Sequence, residues 1–175
     1  MAHFIITAFG EDRPGIVAKT TKILYEMGFN IEDSSMTRLN NEFTIMLIVK
    51  GDRSLEELKE AFFPVEREEN LTVIIKELPE ETITKRTVLY PQIVDIVVYG
   101  ADKLGIVYSV SKLLADLKAN ISDLRTEKTD NLYIMFIEAG IPAELSLERL
   151  NQEIERLKES LKVDIVIYPL EEAEL

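Results

Sequence analysis

At 175 residues and 46% apolar content the chain is long enough to bury a real core, and its two halves would each make a minimal domain. Its 32 acidic and 20 basic residues leave a formal charge of −12 with the basic residues interleaved among acids, which opposes direct nucleic-acid binding, since that affinity comes from neutralised phosphates. The lack of cysteine excludes disulfides, thiolate metal sites and cysteine nucleophiles and suits a reducing cytoplasm, while no apolar run reaches the ~20 residues of a membrane span and no signal-peptide pattern opens the chain, so no membrane association is expected.

The first predicted element is a strand over His3–Phe9, β-branched and aromatic, ending in a Gly-containing loop. Ile16, Thr20, Ile23, Leu24 and Met27 then recur at helical spacing over residues 15–27, with Gly28 as the stop. A polar extended stretch, Asn30–Leu39, leads through an Asn40-Asn41 hairpin turn into an apolar strand at Phe43–Val49. Leu55, Leu58, Ala61, Phe62 and Val65 predict an amphipathic helix with Ser54 as N-cap, and Leu71–Ile75 the last strand of this half. The second half repeats the order. A strand at Gln92–Tyr99 precedes a helix carrying Ile106, Val110, Leu113, Leu114 and Leu117. Strands Asn120–Glu127 and Leu132–Glu138 meet near Asp130-Asn131. A helix carrying Leu147, Leu150, Ile154, Leu157 and Leu161 precedes the strand Val163–Tyr168.

The repetition extends to the letters. Gly10-Glu-Asp-Arg-Pro-Gly-Ile-Val17 returns 90 residues later as Gly100-Ala-Asp-Lys-Leu-Gly-Ile-Val107, and Asn30-Ile31-x-Asp33 returns as Asn120-Ile121-x-Asp123. The period is too long for a solenoid and fits a small domain. The chain therefore reads as two tandem α+β domains, 1–78 and 92–170, joined by a polar linker at 79–91 and followed by an acidic tail at 171–175. A β-α-β-β-α-β unit with right-handed crossovers gives the ferredoxin-like fold, a four-stranded antiparallel sheet with both helices on one face. Its second strand lies at an edge, and here that strand is the most polar of each copy. Two readings follow: an edge kept polar against aggregation, or an edge that pairs with another copy's edge around something small.

The shared loop entering the first helix is the feature most able to hold a small anion. Pro14 suits the first helical turn, Asp12 can cap the free amides behind it, and Gly15 leaves its N–H approachable. Such a junction is also an ordinary helix start. Unpaired amides at the positive end of a helix favour a carboxylate by roughly 0.3–1 kcal/mol from the dipole alone. Asn30 can donate and accept, and Asp33 can accept from an ammonium group. Together these are the requirements of a free amino acid.

The pattern Gly-x-Asp-Arg-Pro-Gly-Ile-Val followed by Asn-Ile-x-Asp, on this element order, resembles the ACT domain, a regulatory amino-acid-binding module; two in tandem with no catalytic domain resemble the glycine cleavage system transcriptional repressor family. The resemblance implies a ligand between paired ACT domains, touching the loop and first helix of one and the edge strand of another. Carried over, it marks Asp12, Arg13, Pro14, Gly15, Ile16, Asn30, Ile31 and Asp33. It implies a non-enzymatic sensor of a small, glycine-like amino acid, a homodimer formed through edge strands or helices, and indirect regulation of transcription or metabolism through a partner protein. In the second copy Arg13 and Pro14 become Lys103 and Leu104, while Asp102, Gly105, Ile106, Asn120, Ile121 and Asp123 persist. Loss of proline loosens the turn and lysine replaces a planar fork by a point charge, so the first site ranks above the second, which is left open as a weaker site, a site for something else, or a structural loop.

Other chemistry has little support. His3 is the single histidine and reads as structural, and with no cysteine there is no transition-metal cluster or nucleophile–histidine pair. No cofactor is expected. Glu56, Glu57, Glu60, Glu66, Glu68 and Glu69 read as the solvated surface of a helix and the loop after it, as do Glu153, Glu155 and Glu159. RNA-recognition modules share the element order but stack bases on central-strand aromatics, and here Phe4, Phe43, Tyr133 and Phe136 are irregularly placed. Two alternatives remain: a ligand-free adaptor that binds a partner protein through its exposed edges, and an acylphosphatase-like enzyme using Arg13.

Overall fold

The computed structural model describes residues 1–80, 90–129 and 132–170. The chain forms two compact units, Met1–Lys85 and Arg86–Leu175. Unit 1 runs β1 (Ala2–Glu11), α1 (Ile16–Met27), β2 (Asn30–Leu39), β3 (Glu42–Gly51), α2 (Leu55–Glu68) and β4 (Thr72–Leu78). Unit 2 runs β5 (Gln92–Gly100), α3 (Ile106–Asp116), β6 (Asn120–Thr129), β7 (Leu132–Ile141), α4 (Leu147–Leu161) and β8 (Asp164–Pro169). The strand orders are β2-β3-β1-β4 and β6-β7-β5-β8, all neighbours antiparallel, so each unit has the ferredoxin-like βαββαβ topology with its second strand at an edge.

Alternation decides which face is buried. Phe4, Ile6 and Ala8 on β1 and Phe43, Ile45, Leu47 and Val49 on β3 point to the helices and are at most 4% exposed. Against them lie Ile16 and Leu24 of α1 and Leu58 and Phe62 of α2. Unit 2 repeats this layer with Val94, Ile96, Val98, Met135, Ile137 and Ala139 under Ile106, Val110, Leu114, Leu150 and Ile154. Each of these side chains larger than alanine contributes roughly 1.5–3 kcal/mol on leaving water. Strand β2 is exposed along its whole length, and a register shift between Ile31 and Asp33 marks a β-bulge that turns Glu32 toward His3. His3 is 8% exposed with Nε2 3.1 Å from Glu32 Oε2.

The Asn40-Asn41 turn joins β2 to β3, Asn40 taking φ +54°. Helix α2 starts on a capping box: Glu57 N–H donates to Ser54 Oγ at 3.2 Å, and Ser54 N–H donates to Glu57 Oε2 at 2.8 Å. Helix α1 starts otherwise than its sequence suggests. Its N-cap is Gly15 in the left-handed region, no side chain caps it, and Pro14 lies before the helix rather than in its first turn. The turn expected near Asp130-Asn131, linker residues 81–89 and the tail 171–175 lie outside the described residues. Asp12 N–H donates to Asn41 O at 2.7 Å, tying the loop after β1 to the β2–β3 turn. Among the described residues no helix is long and apolar enough to cross a membrane, and no group of three or more acidic or histidine residues is arranged to hold a metal ion.

Candidate functional site

Gly15 stands at φ +94° and Gly105 at φ +91°, and both immediately precede a helix. This backbone turns the chain sharply from loop to helix. It leaves the N–H groups of Gly15, Val17 and Ala18 without a partner among the described residues, whereas Ile16 N–H makes a long 3.4 Å bond to Arg13 O. Ile16 itself is buried at 2% exposure and anchors the turn in the core.

The charged residues of the loop have partners within the unit. Asp12 does not cap the helix: its Oδ2 accepts from Arg38 Nη1 of β2 at 3.4 Å. Its repeat equivalent Asp102 accepts from Lys128 Nζ of β6 at 2.6 Å. Arg13 donates to the backbone oxygen of Glu69, whose Oε2 lies 3.8 Å from the guanidinium, and Lys19 pairs with the same carboxylate. Glu69 is therefore no solvated surface residue. Its side chain is 12% exposed, and the hydrogen bond from Lys19, with the charges of Lys19 and Arg13, holds its carboxyl below the usual glutamate range. Glu66 is similarly committed, its Oε1 accepting from Val73 N–H at 3.0 Å. In unit 2 Lys103 Nζ donates to Leu161 O and Lys162 O at 3.1 and 3.2 Å. In both units the basic loop residue thus ties the turn to the end of the second helix, where unpaired carbonyls favour a cation.

Asn30, Ile31 and Asp33 lie elsewhere. Asn30 sits opposite Lys50 and Asp33 opposite Ile48, while β1 and β3 meet the loop end at Glu11–Glu42. Ile48 is six residues along β3 from Glu42, so Asp33 lies about 20 Å along the strand from that end. Asp33 also faces away from the helix layer, since its partner Ile48 alternates with the buried Leu47 and Val49. Its Oδ1 accepts from Ser34 N–H at 2.8 Å. Within one unit the structure does not bring the Gly15 donors and the Asp33 carboxylate together. Asn120 and Asp123 stand correspondingly, opposite Gly140 and Glu138, with Arg125 Nε 3.0 Å from Asp123 Oδ2; Ile121 packs on the core of unit 2.

A concavity of about 600 Å³ lies over the second loop, lined by Asp102–Tyr108 and Tyr133. Leu104 there is fully exposed and Tyr108 is 70% exposed. Burial, with the charge of Asp102, pushes the Tyr133 phenol above its usual range. Tyr108 is not among the residues singled out from the sequence, and Tyr133 stands there only as an irregularly placed aromatic. The signal was the repeat itself: at an offset of 90 residues Tyr108 replaces Ala18 and Tyr133 replaces Phe43.

The ACT domain profile matches residues 2–82 and 92–168. The glycine cleavage system transcriptional repressor of Escherichia coli K12 is 30% identical over 163 residues, spanning 89% of this chain and 83% of that protein. A UPF0237 protein of Methanopyrus kandleri is 35% identical over 79 residues, which cover 43% of this chain and 88% of its own. Among solved structures, one described as a glycine cleavage system transcriptional repressor superposes with a TM-score of 0.75 at 24% identity, over 97% of this chain and 98% of its own. An unknown protein from Galdieria sulphuraria gives 0.76 at 24% identity, over 97% and 99%. These last two likenesses concern the fold. The profile matches in both units, together with the full-length relative, establish that this chain belongs to the ACT domain family and carries two copies of the domain.

Proposed function

We propose that the chain is a non-enzymatic regulatory protein that senses a small amino acid, with the amino acid's carboxylate on the free N–H groups of Gly15, Val17 and Ala18 and its ammonium on Asp33 of a second molecule. Membership in the ACT family and the Escherichia coli relative support the regulatory part of this reading. The observation that carries the shared site is the separation of Asp33 from the loop along β3, because one unit alone cannot offer both ends of an amino acid a partner. Strand β2, exposed throughout, is free within its unit to meet the loop of another copy. A ligand that bridges two molecules favours the associated state by its differential affinity for it, and control of transcription or metabolism would then be indirect.

The size of the ligand bounds its affinity. At a ceiling of about 1.5 kcal/mol per heavy atom, a glycine-sized molecule reaches no tighter than about micromolar. Micromolar to millimolar binding suits a metabolite sensor. The engagement of Arg13 with Glu69 disfavours the acylphosphatase-like reading, which requires a free guanidinium at the loop.

The test is amide-resolved NMR during titration with glycine and other small amino acids. Selective shifts at Gly15, Val17 and Ala18, lost in Asp33→Ala, support the shared site; shifts confined to residues outside the loop and β2 overturn it. A second reading, a ligand-free adaptor, draws on the same exposed edge, where Met36 and Leu39 are 61% and 73% exposed. It predicts partner binding that no amino acid alters.

A further inference from the structure

Beside Asp33, on the face that its own helices leave uncovered, the sheet of unit 1 carries a hollow of about 120 Å³. Ile5 of β1, Asp33, Ser34 and Ser35 of β2, and Met46 and Ile48 of β3 line it. The strand registers account for its shape. Asp33 stands opposite Ile48, Ser35 opposite Met46, and Ile48 opposite Ile5. Met46 and Ile48 alternate with the buried Ile45, Leu47 and Val49, so their side chains rise on the open face together with that of Ile5. The shorter Asp33 and Ser35 leave the edge side low. Asp33 Oδ1 accepts from Ser34 N–H at 2.8 Å, which fixes the carboxylate at the rim.

A hollow of about 470 Å³ opens at the same place in unit 2, so the fold and not one chance side chain builds it. Its lining includes Asp95, Asp123, Arg125, Phe136 and Glu138, which at an offset of 90 residues answer to Ile5, Asp33, Ser35, Met46 and Ile48. The rim acid is common to both repeats and the rest differs. Unit 2 surrounds it with two further carboxylates and a guanidinium, whereas unit 1 surrounds it with aliphatic side chains. Lys76 of β4 stands beyond Ile5 in the same row and does not line the unit 1 hollow.

We infer that the unit 1 hollow receives the side chain of the sensed amino acid, which is therefore a branched aliphatic one of valine's size rather than glycine. This rests on the reading that Asp33 holds the ligand's ammonium. Side chains directly opposed on neighbouring strands stand about 5 Å apart. An ammonium hydrogen-bonded to Asp33 thus brings the ligand's side chain within reach of Ile48 and Met46. Apolar cavities of about 150 Å³ accept a molecule of benzene's size, so one of about 120 Å³ admits about three or four carbons. A hydroxyl laid on Ile5, Met46 and Ile48 would lose water without gaining a partner from them. A cationic side chain would meet the same apolar wall, with the charge of Lys76 beyond it.

Calorimetric titration of the whole chain with glycine, valine, threonine and glutamate tests this. Each methylene-sized group taken out of water is worth about fourfold in affinity, so valine is expected to bind at least about tenfold tighter than glycine. Threonine, which has valine's shape, is expected to bind at least about threefold more weakly than valine. Ile48→Thr keeps a β-branched residue in the strand and is expected to cut the valine-to-glycine ratio below about threefold, whereas Ile48→Val keeps most of it. Partial unfolding of a variant lowers both affinities alike and leaves their ratio intact. Glycine, threonine or glutamate binding as tightly as valine overturns the inference and leaves the sensor reading standing. A ratio that Ile48→Thr does not lower has the same consequence. Absence of binding by all four overturns the inference, and the sensor reading falls with it only if the other common amino acids are also silent.

Discussion

Gly15 and Gly105 hold the same left-handed backbone, and around each the space where a Cβ would stand is empty out to 4 Å. Both glycines are therefore required by conformation and not by crowding. Gly15→Ala is expected to destabilise unit 1 by about 1 kcal/mol, because the left-handed penalty of about 1–2 kcal/mol is partly offset by a less flexible unfolded chain. Thermal denaturation reads this as a loss of about 4–8 °C in the unit 1 transition. A much larger loss would mean that the loop is packed more tightly than its open surroundings indicate.

The same turn conformation appears where the first helix of each unit ends, and there the repeats differ. Gly28 closes α1 at φ +77°, whereas Lys118, its equivalent after α3, is held at φ +59°. Lys118→Gly is expected to stabilise unit 2 by about 0.5–1 kcal/mol, and Gly28→Lys to destabilise unit 1 similarly. Chemical denaturation followed separately for the two transitions checks both signs.

Thr20 is fully buried in α1, and its hydroxyl finds no hydrogen-bond partner among the described residues. At the equivalent position unit 2 carries Val110, equally buried. Removing an orphaned hydroxyl while keeping the shape recovers its desolvation cost, so Thr20→Val is expected to stabilise unit 1 by about 1 kcal/mol. No change, or a loss, would indicate a bridging water.

Two glutamates of unit 1 have carboxyls held below their usual value of 4.5, Glu57 chiefly by the Ser54 backbone hydrogen bond and Glu69 chiefly by Lys19. A depressed folded-state pKa contributes stability that is complete above about 4.5 and is lost as pH falls through the folded values. The unit 1 melting temperature is therefore expected to stay level from pH 7 to about 5 and to decline below about 4.5. Glu57→Ala and Glu69→Ala each lower the neutral-pH plateau and shallow the acid decline.

Much of the architecture was legible in the sequence. Period-two runs gave the strands, period-3.6 runs the helices, and the repeat fixed the topology twice over. The polarity of Asn30–Leu39 marked its edge position, since only an edge strand leaves every residue exposed. The loop was less legible, because its partners are distant in the chain. Glu69 is 56 residues from Arg13 and 50 from Lys19, and Arg38 is 26 from Asp12. Sequence spacing shows Asp12 and Arg13 as free to cap a helix or greet a ligand; tertiary contacts commit them to α2 and β2. The bulge at Glu32, which turns that residue toward His3, likewise has no local signature.

The central claim, that a small amino acid bridges the Gly15 turn and Asp33 of another molecule, is tested most directly by calorimetric titration of wild type and Asp33→Ala with the common amino acids. The account predicts saturable binding of a small amino acid between micromolar and millimolar, weakened at least about tenfold by Asp33→Ala. No heat with any amino acid at millimolar concentration, or binding that Asp33→Ala leaves unchanged, would contradict it.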